Sequence, residues 1–200
     1  MKTALIAALV LTLGLVSQQA AYAQAAVPRP AEKFTATDVA GKPLSLATFK
    51  GKVTVLQFLS VECPHCQKFS QLLTKFQADP SLKGFQAMGI AFDTGINAAA
   101  VTNYIKTYNV GMPVGYSDRL KVLNYLGISV MTNIGVPQIV IIDQKGMVRA
   151  QTDTNGGGKL GDETYLKSYL TSLLKEGSAG PGSGSKGGSK EPASAKSGKS

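Results

Sequence analysis

The alternation of short apolar runs with segments of helical period does most to fix what this chain can fold into. Residues 53–59 read Val-Thr-Val-Leu-Gln-Phe-Leu, residues 85–92 are again largely apolar, and Gln138 to Ile142 form a third run. Runs of this kind suit strands covered on both faces, as in α/β sheets. Between the first two, Phe69, Leu72, Leu73 and Phe76 recur at spacings of three and four, and Asp79-Pro80 ends the pattern. Asn97 and Asp118 stand where helix caps belong. The first precedes Val101, Tyr104, Ile105 and Tyr108; the second precedes Leu120, Val122, Leu123 and Leu126, with Gly127 as the stop. A short extended piece at 112–116 separates these two helices. Residues 34–39 and 42–46 flank Gly41 as a hairpin, and 143–146 turn the third run into a further strand at 147–152. A last helix over 162–175 would turn Tyr165, Leu166, Tyr169, Leu170, Leu173 and Leu174 inward, after a flexible break at Gly156-Gly157-Gly158. The expected architecture is a three-layer α/β domain with a central mixed β-sheet and an N-terminal β-hairpin extension.

The ends of the chain differ in kind. Lys2 followed by apolar residues 4–16 and by Ala21-Tyr22-Ala23 reads as an export signal over residues 1–23, with Gln24 as the first mature residue. The apolar stretch falls short of the roughly 20 residues a membrane span needs. No Cys marks a lipoprotein anchor, so no stable membrane insertion is expected after cleavage, and the protein should be periplasmic or extracellular. Val27-Pro28-Arg29-Pro30 suggests a flexible leader over 24–33. From residue 176 onward Gly, Ser, Lys, Pro and Ala dominate, a composition that cannot bury enough apolar surface to offset ordering entropy. Residues 176–200 therefore read as a disordered tail, leaving 34–175 as the one folded domain. Part of the +9 net charge lies in that tail; elsewhere no Lys/Arg run interleaved with aromatics suggests a nucleic-acid partner.

The chain has two cysteines, Cys63 and Cys66, three positions apart. A bridge stabilises mainly by closing a long loop, so this pair is poorly placed as a staple and better placed for chemistry. Cys63 falls between the first strand and the first helix. Helix N-terminal N–H groups and the macrodipole favour a thiolate over a thiol there, which makes Cys63 the candidate nucleophile. Pro64 suits the first helical turn, where its missing N–H costs nothing. His65, the one histidine, would add a favourable charge beside the thiolate when protonated. Cys66, one turn in, would resolve the mixed disulfide that Cys63 forms with a client. Zinc would need four protein ligands, or three and a water, which two Cys and one His within four residues do not readily supply. Covalent haem attachment would need His after the second Cys, where Gln67 stands. No metal and no cofactor are expected.

Several segments together resemble the TlpA-like branch of thioredoxin-fold thiol:disulfide oxidoreductases, related to the redoxin and AhpC/TSA group. They are Phe34-Thr35-Ala36-Thr37-Asp38-Val39-Ala40-Gly41-Lys42, Lys50-Gly51-Lys52-Val53, Cys63-Pro64-His65-Cys66, Ile134-Gly135-Val136-Pro137, Ile141-Ile142-Asp143 and Lys145-Gly146. The helix and strand between Asp93 and Tyr116 are similar to this branch too. The resemblance implies a thioredoxin-like fold in which Pro137 is cis beside the cysteines and Val136 pairs with an incoming peptide. It implies partners among exported proteins that carry disulfides or thiols, together with a redox partner that it does not identify. Reductase chemistry is favoured, because TlpA-like proteins mostly reduce. Three features depart from the pattern. Glu62 stands where the family has Trp, Gln57 where thioredoxin has a buried acid, and Pro64-His65 is the dipeptide of the oxidising DsbA proteins.

Two other readings stay open on the residues. A peroxiredoxin-type peroxidase would have Pro and Thr seven and three positions before its reactive Cys, where this chain has Leu56 and Ser60. A copper chaperone of the same fold would bind Cu(I) through the two thiolates. It would lack a distant His, with Met131 or Met112 as possible donors.

Overall fold

The computed structural model describes residues 25–178, so the expected signal segment and residues 179–200 of the expected tail lie outside the described residues. Eight strands form one mixed sheet in the order β1-β8-β7-β4-β5-β6-β2-β3. They are β1 (Arg29–Pro30), β2 (Thr35–Asp38), β3 (Pro43–Ser45), β4 (Val53–Leu59), β5 (Phe85–Ala91), β6 (Val114–Tyr116), β7 (Gln138–Ile142) and β8 (Met147–Gln151). The helices are α1 (Pro64–Gln77), α2 (Ala98–Thr107), α3 (Arg119–Leu126) and α4 (Glu163–Ser178). β4 runs parallel to β5, and β5 to β6; β7 lies antiparallel on the other side of β4. Every residue of β4 and of β7 is buried, as two-sided cover requires.

Strand alternation sends β4 to two cores. Val53, Val55 and Leu59 meet Phe69, Leu73 and Phe76 of α1, Val101 and Tyr104 of α2, and Leu166, Leu170 and Leu173 of α4. Leu56 and Phe58 face the other way, onto Val122, Leu123 and Leu126 of α3 and Phe34 of the hairpin side. The result is helix, sheet, helix in three layers. The β2–β3 hairpin extends the sheet edge by pairing Thr37 and Asp38 with β6.

Local chemistry explains the boundaries. Asn97 and Asp118 cap α2 and α3 by accepting from the amides of Ala100 and Lys121. Gly127 ends α3 in the left-handed region at φ 66.

Three expectations need correction. Within the segment read as a loose leader, Arg29–Pro30 pairs antiparallel with Val148 and Met147 as an edge strand, a position that tolerates proline. Arg29 also donates to Gln151 Oε1 at 2.8 Å. Tyr165 is 43% exposed rather than inward, and stacks on Tyr169 along the helix surface. The last helix runs past its expected end at residue 175, into the segment read as a disordered tail, as far as Ser178, with Glu176 paired to Arg149 at 2.9 Å.

Candidate active site

The site forms where β4 ends. Its chain leaves the sheet at Leu59, turns through Ser60–Cys63 with the Cys63 amide donating to the Ser60 carbonyl, and enters α1. Cys63 is the N-cap: its Sγ accepts from the Cys66 amide at 3.4 Å, and Pro64 follows in the first turn. A sulfur thus stands where a capping oxygen normally does, at the positive end of the helix. Cys63 is half-buried, Pro64 and His65 are exposed, and Cys66 is fully buried. Both cysteines are free thiols. Burial pushes the Cys66 thiol far up from its ordinary range; the Ser60 backbone amide, hydrogen-bonded to its sulfur, works against that, while Cys63 and Asp93 add to it.

Across from Cys63 lies the turn before β7. The Val136–Pro137 peptide bond is cis, and the Cys63 thiol donates to the Val136 carbonyl oxygen at 3.7 Å. That turn is braced from behind. The Gln138 side-chain amide donates to the carbonyls of Gly135 and Asp153, and the Gly157 amide donates to the Pro137 carbonyl. The glycine run at 156–158 has φ between 56 and 74, so the segment read from sequence as a flexible break is a left-handed turn supporting Pro137. An open groove of about 590 Å3 runs past these residues, with His65, Lys68, Leu72, Pro137 and Asn155 among its walls. The structure therefore brings together all six residues singled out from sequence: Cys63, Pro64, His65 and Cys66 on one element, Val136 and Pro137 on another.

Sequence reasoning missed what lies beneath. Gln57 is fully buried in β4 and donates from Nε2 to the Cys66 carbonyl at 2.9 Å. Its Oε1 accepts from Ser70 at 2.8 Å. The Tyr104 hydroxyl lies 2.7 Å from Ser70 Oγ and 3.1 Å from the same Cys66 carbonyl. Burial raises the Tyr104 phenol well above its ordinary range, so the whole network is neutral. The signal in the sequence was Gln57 itself, a polar residue inside an otherwise apolar strand. Nothing pointed to Asp93, whose Oδ2 accepts from the Val61 amide at 3.0 Å. Among the described residues, no three or more His, Cys, Asp or Glu side chains gather as ligands for a metal ion.

Comparison with known proteins places this geometry. The sequence profile of the AhpC/TSA family matches residues 27–151. A thiol-disulfide oxidoreductase ResA of Bacillus thuringiensis subsp. konkukian is 29% identical over 122 residues, 61% of this chain and 66% of that protein. This chain thus spans about two thirds of that relative's length. A ResA of Bacillus subtilis is 28% identical over 152 residues, 74% of this chain and 75% of that protein. Among solved structures, a thioredoxin-family thiol:disulfide interchange protein of Chlorobium tepidum superposes with a TM-score of 0.57 at 28% identity, over 73% of this chain and 99% of that one. The fold is thioredoxin-like.

Proposed function

The chain belongs to the AhpC/TSA family, and we propose that within it this protein is an exported thiol–disulfide oxidoreductase that reduces disulfides in other exported proteins. The observation that carries the reading is the pairing of a half-buried thiol at a helix N-terminus with a fully buried thiol one turn on, beside a cis-proline turn. The relatives named as thiol-disulfide oxidoreductases support it. So does the export-type beginning, Lys2 followed by an apolar stretch and Ala21-Tyr22-Ala23.

In this reading Cys63 is the nucleophile. Its sulfur attacks one sulfur of a client disulfide; the client S–S bond breaks, and the second client sulfur leaves as a thiolate that takes up a proton. Cys66 then attacks Cys63, forming the Cys63–Cys66 disulfide and expelling the first client sulfur. Two electrons pass from the cysteine pair to the client. Pro64 starts the helix, and His65, exposed at the groove, tunes the charge beside Cys63. Val136 and Pro137 receive the client backbone. An unidentified donor must reduce the pair again.

Insulin reduction tests the assignment. Cys63→Ser abolishes turnover, whereas Cys66→Ser accumulates mixed disulfides with insulin chains that reductant releases. Turnover at the wild-type rate in Cys63→Ser would refute it.

A further inference from the structure

The end of the sheet opposite Cys63 carries a second recess. It lies where β4 begins and β7 ends, and its volume is about 500 Å3. Its floor is apolar, made of half-buried Leu46 and buried Phe49 and Ile142. Leu46 and Phe49 bound a single 3-10 turn, which is fixed by its cap: the Ser45 hydroxyl accepts from the Ala47 amide at 3.3 Å. One wall, Gln144, is backed by the last turn of α4, whose Gly177 lies against its side chain. The recess is therefore formed by the fold and is not a gap beside a loose loop.

The charge around it is of one sign. Lys33, Lys50, Lys52 and Lys145 line the recess and are exposed. They come from three separate segments: the approach to β2, the turn into β4 and the turn between β7 and β8. Among the described residues, none of these four ammonium groups is paired with a carboxylate. Asp143, the acid among the walls, does not offset them. It is buried, its Oδ2 accepts from Arg149 at 3.0 Å, and its Oδ1 accepts from the amides of Lys145 and Met147, each at 2.9 Å. Like charges gathered around one recess repel each other, so their cluster gains nothing for the fold alone. A concave region lined by one sign of charge instead draws counter-ions toward it. An apolar floor of this size with a few charged groups is the usual form of a small-molecule site.

We propose that this recess binds a small amphiphilic anion. A phosphate or carboxylate head sits among the four ammonium groups, and a short apolar body lies on Leu46, Phe49 and Ile142. Lysine presents a point charge rather than the planar fork of arginine, so the head is selected by charge and not by shape. Phosphate and carboxylate heads are thus both accepted, whereas the apolar floor favours an alkyl anion over an inorganic one. The inference does not depend on thiol chemistry, because the recess contains neither cysteine.

Octyl phosphate is the probe, with inorganic phosphate and octanol as its two halves. Each is titrated into the full chain and followed by amide NMR shifts, which separate the recess from any apolar segment elsewhere. Octyl phosphate should move the amides of residues 46–52 and 142–146 saturably, and bind more than about tenfold tighter than either half. Octanoate should move the same amides. Replacing both Lys50→Gln and Lys145→Gln should weaken octyl phosphate by about tenfold, and added salt should weaken the wild-type complex. Outside the recess the spectrum of the double variant should match wild type, since both side chains are exposed. Octyl phosphate shifts confined to other residues, or an affinity unaltered in the double variant, would overturn the inference. Inorganic phosphate binding as tightly as octyl phosphate would also overturn it, marking a plain cluster of cations without a site for the apolar body.

Discussion

Replacing Gln57 by Glu should convert a pH-indifferent core into a pH-sensitive one. The side chain has no exposure and occupies the centre of β4 beneath the active-site helix. At low pH a protonated Glu can imitate Gln, donating from its O–H to the Cys66 carbonyl and accepting from Ser70. Once ionised it can only accept, and it loses the bond to Cys66. Desolvation raises the pKa of a fully buried carboxyl by up to about 3–5 units from a reference of about 4.3. The sign follows from proton counting. The folded state holds its proton over a range where the unfolded state has lost it, so stability falls as pH rises above about 4.3. The limiting slope is about 1.4 kcal/mol per pH unit, giving a loss of about 3–4 kcal/mol between pH 4.3 and 7 relative to wild type. That is a large part of the 5–15 kcal/mol typical of a folded domain. Urea unfolding at pH 4 and pH 7, for both proteins, measures it. A Gln57→Glu penalty that is the same at both pH values would refute the reasoning, because it would mean the carboxylate is solvated or that the site opens to water.

Other outcomes follow from the packing. Gly156→Ala should impair insulin reduction and stability together. A Cβ there, at φ +74, would stand 2.8 Å from the carbonyl oxygens of Gly135 and Pro137, whereas at Gly146 (φ +79) nothing lies within 4 Å. Gly146→Ala should therefore show only the backbone penalty of about 1–2 kcal/mol and normal turnover. Leu170→Ala should cost about 2–5 kcal/mol in chemical denaturation, and Tyr165→Ala about 0.5 kcal/mol or less, since the first is fully buried and the second lies on the solvent side. The Lys167 ammonium 2.7 Å from Asp79 holds that carboxyl at about 2. Its depressed value means that the pair's contribution is present above the ordinary carboxylate range and is lost as pH falls through about 2. Lys167→Ala should move the Asp79 titration upward by NMR.

Much of this was legible before the structure because it is local. Asn97, Asp118 and Gly127 carry their cap chemistry in their own side chains or lack of one, and Val53–Leu59 announces a strand buried on both faces. The cysteine motif, between that strand and a helical pattern, located the site. What stayed hidden depends on distant chain segments meeting. Ser70 and Tyr104 lie 34 positions apart, and each looks like an ordinary helix residue until β4 places Gln57 between them and Cys66. Asp93 comes from a loop 32 positions beyond Val61. The glycine run at 156–158 reads as slack in one dimension and becomes a brace only once Pro137 is beside it. Tyr165 misled for a different reason. Helical periodicity marks a stripe but not where its cover ends: Leu166, Leu170 and Leu173 are buried, whereas Tyr165, at the stripe's edge, is 43% exposed.

The equilibrium reduction potential of the Cys63–Cys66 pair, measured in glutathione buffers, tests the central claim most directly. The account predicts a reversible two-electron transition near or below about −230 mV, in the range of thioredoxins and glutaredoxins. A value near about −120 mV would contradict the reductase assignment and mark an oxidant, and failure of the two cysteines to form a disulfide at any poise would contradict the redox account altogether.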